Sequence, residues 1–297
     1  MLSIIVCSVN RKYLLNFEKN VAETIGDNVE YEILAIDNKV MRLSICAAYN
    51  RAASEARYPY LLFIHEDVEF LEKGWWAKVM PQLSKPDCGV IGFAGTVAMV
   101  DSPAGWGQSR KWSVLNFTQL SKGRRRLYRQ GFENSTYRQV VALDGFAMFV
   151  RRSVWQETPF DEQLLKGFHC YDVDFSLSVN QRYKNYVCGV VDIFHYSPGN
   201  FNEAWFRDVL KTYRKWHDRL PVWVDDPEHP ISRQDMKRIH EKLDFKAMKK
   251  VRKLRDVRRW PYVKRFFRHG MSLKHLEHII RDFCIENNEK NIINLRH

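Results

Sequence analysis

The sequence predicts an α/β fold, a mostly parallel sheet flanked by helices, followed by a helical C-terminal extension. Three observations carry this reading. Short apolar runs alternate with segments of helical spacing over the first hundred residues, the pattern of βαβ units. Polar residues stand at the end of successive runs, where ligands bind in such sheets. After about residue 220 the composition turns helical and strongly basic.

The first strand is read at Ser3–Val9 (SIIVCSV), apolar and β-branched, followed by Asn10-Arg11-Lys12. Tyr31–Ile36 ends at Asp37-Asn38, Tyr60–Ile64 ends at His65-Glu66-Asp67, and Val90–Phe93 is a fourth run. Runs of this length bounded by polar residues read as buried parallel strands. Leu14–Ile25 and Ser44–Ala56 between them have helical spacing. In the second, Ile45, Ala48, Ala52 and Ala56 share a face and Ser44 suits the N-cap. Asp101–Tyr137 has weak periodicity and a basic run, Arg124-Arg125-Arg126, and reads as a long surface excursion. Regularity returns with a strand in Val140–Val150, a helix near Ser153–Glu157, a helix over Asp172–Tyr183 and a strand over Tyr186–Phe194 that ends at His195. Helices are expected at Phe201–His217, Ser232–Leu254 and Ser272–Asn287, with Pro221 and Asp225–Pro230 separating the α/β part from the extension.

Composition narrows the function class. The 297 residues are 45% hydrophobic and 13% aromatic with only 14 glycines and 10 prolines, which excludes a disordered or collagen-like chain. No apolar run approaches the ~20 residues of a membrane span, and Leu2–Val9 reads as a strand rather than a leader. The six cysteines include no C-x-x-C pair, so neither a disulfide scaffold nor a zinc site is indicated. The sequons at Asn116 and Asn134 carry little meaning without secretion, and a soluble cytoplasmic protein is expected. There is no G-x-G-x-x-G after the first strand and no P-loop, so a bound diphosphate would need another counter-charge, for which a metal is the obvious source.

The formal net charge of +12 is unevenly placed: residues 1–220 hold 28 basic and 24 acidic residues, residues 221–297 hold 19 and 11. Lys246–Arg268 has eleven basic residues and one acidic, interleaved with Trp260, Tyr262, Phe266 and Phe267. A solvated helical face and contact with an anionic membrane surface both fit this segment. No helix-turn-helix, RNP or zinc-finger pattern occurs, so nucleic acid is not an expected partner.

Three constellations can carry chemistry. Acidic side chains in His65-Glu66-Asp67, after a strand, suit Mg²⁺ or Mn²⁺, although spacing alone favours solvated loop residues at His65 and Glu66 with Asp67 capping a helix. In His169-Cys170-Tyr171-Asp172-Val173-Asp174 two carboxylates stand two residues apart at a helix start, so one at a cleft mouth could act as a general base while the other caps. His195 gains interest if it meets Asp67 in space.

Over roughly residues 3–220 the chain resembles glycosyltransferase family 2-like enzymes of GT-A fold. The resemblance rests on SIIVCSVN, EILAIDN, AAYNRAASEA, FIHEDVEF, LDGFAMFVRRSVW, FDE at Phe160–Glu162 and GFHCYDVDFSLSV, in that order. It implies a nucleotide-binding half over residues 1–100, an acceptor and catalytic half over 101–220, and a basic extension over 221–297. FIHEDVEF stands where the family has its D-x-D, which makes Asp67 the metal ligand. His65 replaces the first aspartate, with ribose and metal as its candidate contacts. Ser8, Asn10, Asp37 and Asn38 would line the base and ribose pocket, Asp144 and Gly145 the donor sugar. YDVD stands at the family's Glu-Asp catalytic pair: Tyr171 replaces the glutamate, Asp172 aligns with the base, and Asp174 is the second catalytic candidate. His195 matches a late histidine completing the metal site. Arg151 and Arg152 are candidates for assisting at the phosphates. The implied activity is a metal-dependent, inverting transfer of a hexosyl group from a nucleotide-diphospho-sugar to a glycan or lipid-linked acceptor. Mn²⁺ or Mg²⁺ would be the cofactor, surface polysaccharide synthesis the setting, and the inner face of the membrane a peripheral location. The departures at His65 and Tyr171 keep a catalytically silent sugar-nucleotide binder as the alternative.

Overall fold

The computed structural model describes residues 1–121, 123–132, 135–197 and 199–268. The chain forms two compact units, residues 1–231 and 232–297. The helix expected at Ser272–Asn287 and the sequon at Asn134 lie outside the described residues.

The first unit begins β1 (Leu2–Ser8), α1 (Arg11–Thr24), β2 (Tyr31–Asp37), α2 (Asn38–Met41), α3 (Ile45–Glu55), β3 (Tyr60–Ile64), β4 (Val68–Phe70), α4 (Trp75–Leu83) and β5 (Cys88–Gly92). Short strands β6 (Ala94–Thr96) and β7 (Ala98–Met99) lead to the hairpin β8 (Ser113–Ser121) and β9 (Arg124–Gln130). Then follow β10 (Tyr137–Val140), β11 (Ala142–Leu143), β12 (Ala147–Arg151), α5 (Arg152–Glu157) and α6 (Tyr171–Val179). The unit closes with β13 (Lys184–Cys188), β14 (Ile193–His195), α7 (Glu203–Trp216) and β15 (Val222–Trp223).

Seven strands form the central sheet in the order β10-β13-β5-β12-β3-β1-β2. The sheet is mixed, mostly but not purely parallel. β1 is parallel to β2 and β3, and β13 to β5, but β12 runs antiparallel between β3 and β5 and β10 antiparallel to β13. The chain leaves β5 into a second sheet (β11-β6-β8-β14-β4, with β9 on β8) and re-enters at the carboxyl end of β3, so β12 has to run the opposite way. That reversal puts Asp144 and Gly145 at the same end as His65.

Alternating side chains of the central strands feed two cores. Ile4, Val6, Leu62, Ile64, Ile91 and Phe149 join Phe17, Trp75 and Val79 on the α1/α4 face, while Ile5, Leu61, Phe63, Val90 and Met148 join Tyr49, Val154 and Phe175 on the α3/α5/α6 face. Burial on both faces explains why the runs read as continuously apolar. β2 is the exception among the expected strands, an edge strand with no fully buried residue.

Three further expectations are revised. Asp101–Tyr137 is no simple excursion: its second half is the β8–β9 hairpin, whose alternation is hidden in sequence by consecutive arginines. Val140–Val150 is not one strand, because the Asp144–Phe146 turn divides it between sheets. Tyr186–Phe194 is likewise divided: the buried Asn116 Nδ2 donates to Cys188 O and Val191 O, 3.1 and 2.8 Å, and holds the chain as it steps from one sheet to the other.

In the second unit Ser232 caps α8 (Arg233–Val251), its hydroxyl accepting from Asp235 N, and α9 (Trp260–Arg268) follows. The buried Asp244 carboxylate pairs with Arg265 Nε at 2.9 Å, and Phe266 packs near Phe245. Trp260 and Phe267 are 63% and 49% exposed, Phe267 with one edge against Phe266. No described helix is long and apolar enough to cross a membrane.

Candidate active site

The site forms where β3 ends. His65 N donates to Phe146 O (2.9 Å), fixing the β3 terminus against the start of β12. β4 then pairs antiparallel with β14, with Val68 opposite His195, so His195 sits beside Asp67. The two are linked at 3.5 Å, Asp67 Oδ1 to His195 Nε2. Ser197 donates to Asp67 Oδ2 from its backbone N, at 3.1 Å, and from its hydroxyl. The buried His195 ring stacks on Phe146, centroids 4.8 Å apart. One ligand atom from each of His65, Asp67 and His195 lies within 4.8 Å of the others.

Electrostatics prepare this triad as ligands. Burial works against ionisation of Asp67, but the hydrogen bond and charge of His195 and the Ser197 bonds outweigh it and hold the carboxyl well below its ordinary range. Burial, then the neighbouring His195, push the His65 imidazolium down to about 4, against the pull of Asp67 and Asp144. The His65 ring is therefore neutral near pH 7. The Tyr171 hydroxyl stands between two partners, Gly145 O at 3.0 Å and His65 Nε2 at 2.8 Å, and so orients the His65 ring. With its proton on Gly145 O, the imidazole is the donor at Nε2 and the Nδ1 lone pair is open to a metal, as when a second group orients a metal-binding histidine.

Next to the triad lie the turn Asp144-Gly145 and the start of α6. Asp172 accepts from Gly145 N (3.0 Å) and Val173 N (2.9 Å), while Asp144 accepts from Trp106 Nε1 (3.0 Å) and Phe146 N (3.2 Å). Burial, then the negative charge of Asp144, raise the Asp172 carboxyl to about 7 despite those backbone donors. Gly145 is required by proximity: a Cβ there would stand 2.8 Å from Asp172 Cβ and closer still to the Tyr171 ring.

The model of the glycosyltransferase like family matches residues 3–214. The chain belongs to that family. Among solved structures this glycosyltransferase-like chain is similar to the mannosyltransferase PcManGT from Pyrobaculum calidifontis, described in complex with GDP-Man and Mn²⁺: 13% identity, TM-score 0.50, 96% of this chain and 79% of that one. It is also similar to TarS of S. aureus, at 12% identity and TM-score 0.50 over 82% of this chain and 43% of that one. GalNAc-T7, described with UDP, GalNAc and Mn²⁺, gives 11% identity and TM-score 0.49, and the chain spans 54% of its length. No curated protein matches the sequence. At these identities the likeness is one of fold, and that fold is GT-A.

The glycosyltransferase-like site gathers some of the expected residues and leaves others aside. His65, Asp67, His195, Asp144, Gly145 and Asp172 converge. Asp174 does not: two positions further along α6 it turns toward α7, where Trp216 Nε1 and Lys215 Nζ donate to it at 2.8 and 2.9 Å. Asn38 is buried and spent on its own loop, exchanging hydrogen bonds with Leu43 N and O. Asp37 is exposed at the end of β2, in register with Ser8 of β1. Arg151 pairs with Tyr60, so Arg151 and Arg152 lie at the far end of β3 from His65 and cannot reach phosphates at the triad.

One residue of the site has a role that sequence did not suggest. Glu66 accepts from Ser8 Oγ (2.6 Å), Val9 N (3.2 Å) and Asn10 N (3.1 Å), clamping the β1–α1 loop. Its only signal was its place between His65 and Asp67. His65 and Tyr171, the two positions where the resemblance implied a departure, are hydrogen-bonded to one another at 2.8 Å.

Proposed function

We propose that the protein is a metal-dependent glycosyltransferase that moves a hexosyl group from a nucleotide-diphospho-sugar to a hydroxyl of a glycan or lipid-linked acceptor with inversion, in surface polysaccharide synthesis. The observation that carries this reading is the meeting of His65, Asp67 and His195 with the raised Asp172 carboxyl at one end of the sheet. The two imidazoles and one carboxylate would hold the cation. Three ligand atoms each about 2.1 Å from one ion stand roughly 3.0–3.6 Å from one another, so a triad whose atoms lie within 4.8 Å would close on the cation by up to about 1–2 Å. Imidazole donors favour a transition ion such as Mn²⁺ over Mg²⁺. A cation bound there supplies a Lewis acid for the charge that builds on the departing diphosphate.

The protein groups do the rest. Asp172, poised near neutrality, removes the proton of the attacking hydroxyl, the range in which a general base serves best. Gly145 N–H holds its carboxylate in place. Asp144, kept in orientation by Trp106, faces the donor sugar, and Ser8, Asn10 and Asp37 border the nucleoside. Asp174 acts from behind as a positioning residue, tying α6 to α7.

A thermal-shift series with UDP-, GDP-, CMP- and dTDP-sugars, each with and without Mn²⁺, tests the reading. One donor class should raise the melting temperature only with Mn²⁺. At a hundredfold excess over Kd the gain is on the order of 2.7 kcal/mol. Mn²⁺-dependent stabilisation without any donor hydrolysis or transfer would point to the silent binder, and no stabilisation by any donor would remove both readings.

The basic extension fits a role at an anionic membrane surface, supported by the exposed Trp260 and Phe267 among basic residues. Each charge near such a surface adds about 1 kcal/mol. Full-length protein should sediment with phosphatidylserine vesicles, and Trp260→Ala/Phe267→Ala should reduce the bound fraction. Equal sedimentation of both proteins would argue for a solvated face.

A further inference from the structure

The β8–β9 hairpin extends the site sideways. His195 is in register with Gln119 of β8, and Gln119 with Arg126 of β9. Gln119 Nε2 approaches His195 Nδ1 at 3.5 Å, so these side chains share a face of the sheet, and cross-strand pairing puts Arg126 on it as well. Arg126 thus stands two strand spacings, about 10 Å, from His195. Alternation adds Arg124 and Tyr128 to the same face, roughly 7 Å to either side.

A continuous train of rings joins this face to the triad. His195 stacks on Phe146, Phe146 meets Phe117 at 5.5 Å, and Phe117 stacks on Tyr128 at 5.2 Å with an interplanar angle of 20°. The Arg126 guanidinium lies 5.2 Å over Tyr128. The arginines of the other face are engaged: Arg125 covers the Phe194 ring at 4.4 Å, and Arg129 donates to Asn116 and Gly189. Arg124 and Arg126 are exposed and, among the described residues, have no carboxylate partner. A charged row on an exposed edge strand can serve solely to discourage edge-to-edge pairing. That role asks for neither the ring train nor two guanidiniums without a carboxylate partner on the face that leads to the triad.

We propose that Arg124, Arg126 and Tyr128 form the acceptor platform, and that the acceptor is an oxyanion-bearing chain, with phosphodiester or carboxylate groups repeating at short intervals. Guanidinium forks match either oxyanion, and the Tyr128 ring offers an apolar surface between them. The inference rests on the transferase reading for the word acceptor, while the binding it asserts is measurable without turnover.

The test uses full-length protein at physiological salt and three probes of equal length: oligogalacturonate, oligo(glycerol phosphate) and a neutral maltooligosaccharide. One anionic probe should bind at least about tenfold tighter than the neutral one, and whichever binds identifies the oxyanion. Arg124→Gln/Arg126→Gln should abolish that preference while leaving the Mn²⁺-dependent affinity for nucleoside diphosphate within about twofold. Arg255→Gln/Arg258→Gln, which removes the same charge from the second unit, should keep it. Equal binding of neutral and anionic probes overturns the proposal, as does an equal loss in the control protein. Weakened nucleoside diphosphate binding in the hairpin variant overturns it too, by assigning Arg126 to the donor. Failure of every donor to bind Mn²⁺-dependently, with the anionic preference intact, would count against the transferase reading alone.

Discussion

Asp172→Asn should lower sugar transfer by about 10²- to 10⁴-fold, the contribution of a positioned general base, and leave Mn²⁺-dependent nucleoside diphosphate binding measurable. The asparagine is nearly isosteric, but it cannot take a proton from the attacking hydroxyl. A pH profile separates this role from a structural one. The wild-type rate should rise through about pH 7, since burial and the charge of Asp144 hold Asp172 protonated below that value. Asp144→Asn removes the repulsive charge, so the acid limb should move to lower pH even if the rate itself falls. Stability has the reverse dependence. The folded carboxyl binds its proton more tightly than the unfolded chain, whose value is near 3.8, so its favourable contribution is full below that pH and is lost as pH rises through about 7. A wild-type rate independent of pH between 5.5 and 8.5, or near-normal turnover in Asp172→Asn, would refute the assignment.

Much of the fold was legible because buried strands and amphipathic helices leave periodic signatures. β1, β3 and α3 follow the apolar runs closely, and Ser44 caps α3 as its residue type suggests, accepting from Ala47 N at 3.2 Å. What periodicity cannot convey is direction and sheet membership. Nothing in Ala147–Arg151 marks it as the antiparallel strand between β3 and β5; that follows from where the preceding chain ends. The same blindness applies to the hairpin, where three arginines of β9 alternate faces but look like a uniform charge run.

At the site, strand ends could be read and partners could not. His65, Asp67 and His195 stand at or just beyond strand termini, so their place at the rim followed from the apolar runs before them. Asp172 and Asp174, one residue apart from being neighbours in sequence, have opposite fates, because α6 turns one toward Gly145 and the other toward Lys215 and Trp216. Asn38 looked like a ligand because it follows a strand, and it closes a loop instead. Glu66 looked like solvent and holds the β1–α1 loop through side-chain and backbone donors, a role visible only once β1 and β3 lie side by side.

Asp67→Ala should abolish the Mn²⁺-dependent part of nucleoside diphosphate binding, a loss of more than about a hundredfold. It removes the only carboxylate of the triad and leaves two imidazole donors, which hold a hard divalent ion poorly. It also releases the Ser197 donors and the His195 contact that fix the site. Tyr171→Phe supplies a graded comparison. It spares all three ligands but deprives His65 Nε2 of its hydrogen-bond partner, so the ring loses its orientation; outer-shell losses of this kind typically cost about 10- to 100-fold in metal affinity. The order wild type, Tyr171→Phe, Asp67→Ala should appear in calorimetric titrations with Mn²⁺ and nucleoside diphosphate, and Mg²⁺ should support weaker binding than Mn²⁺ throughout. A Tyr171→Phe protein equal to wild type would free His65 from the metal site and return it to a ribose contact. Unchanged affinity in Asp67→Ala would remove the triad itself, because among the described residues no other group combines a carboxylate with two imidazoles at that separation.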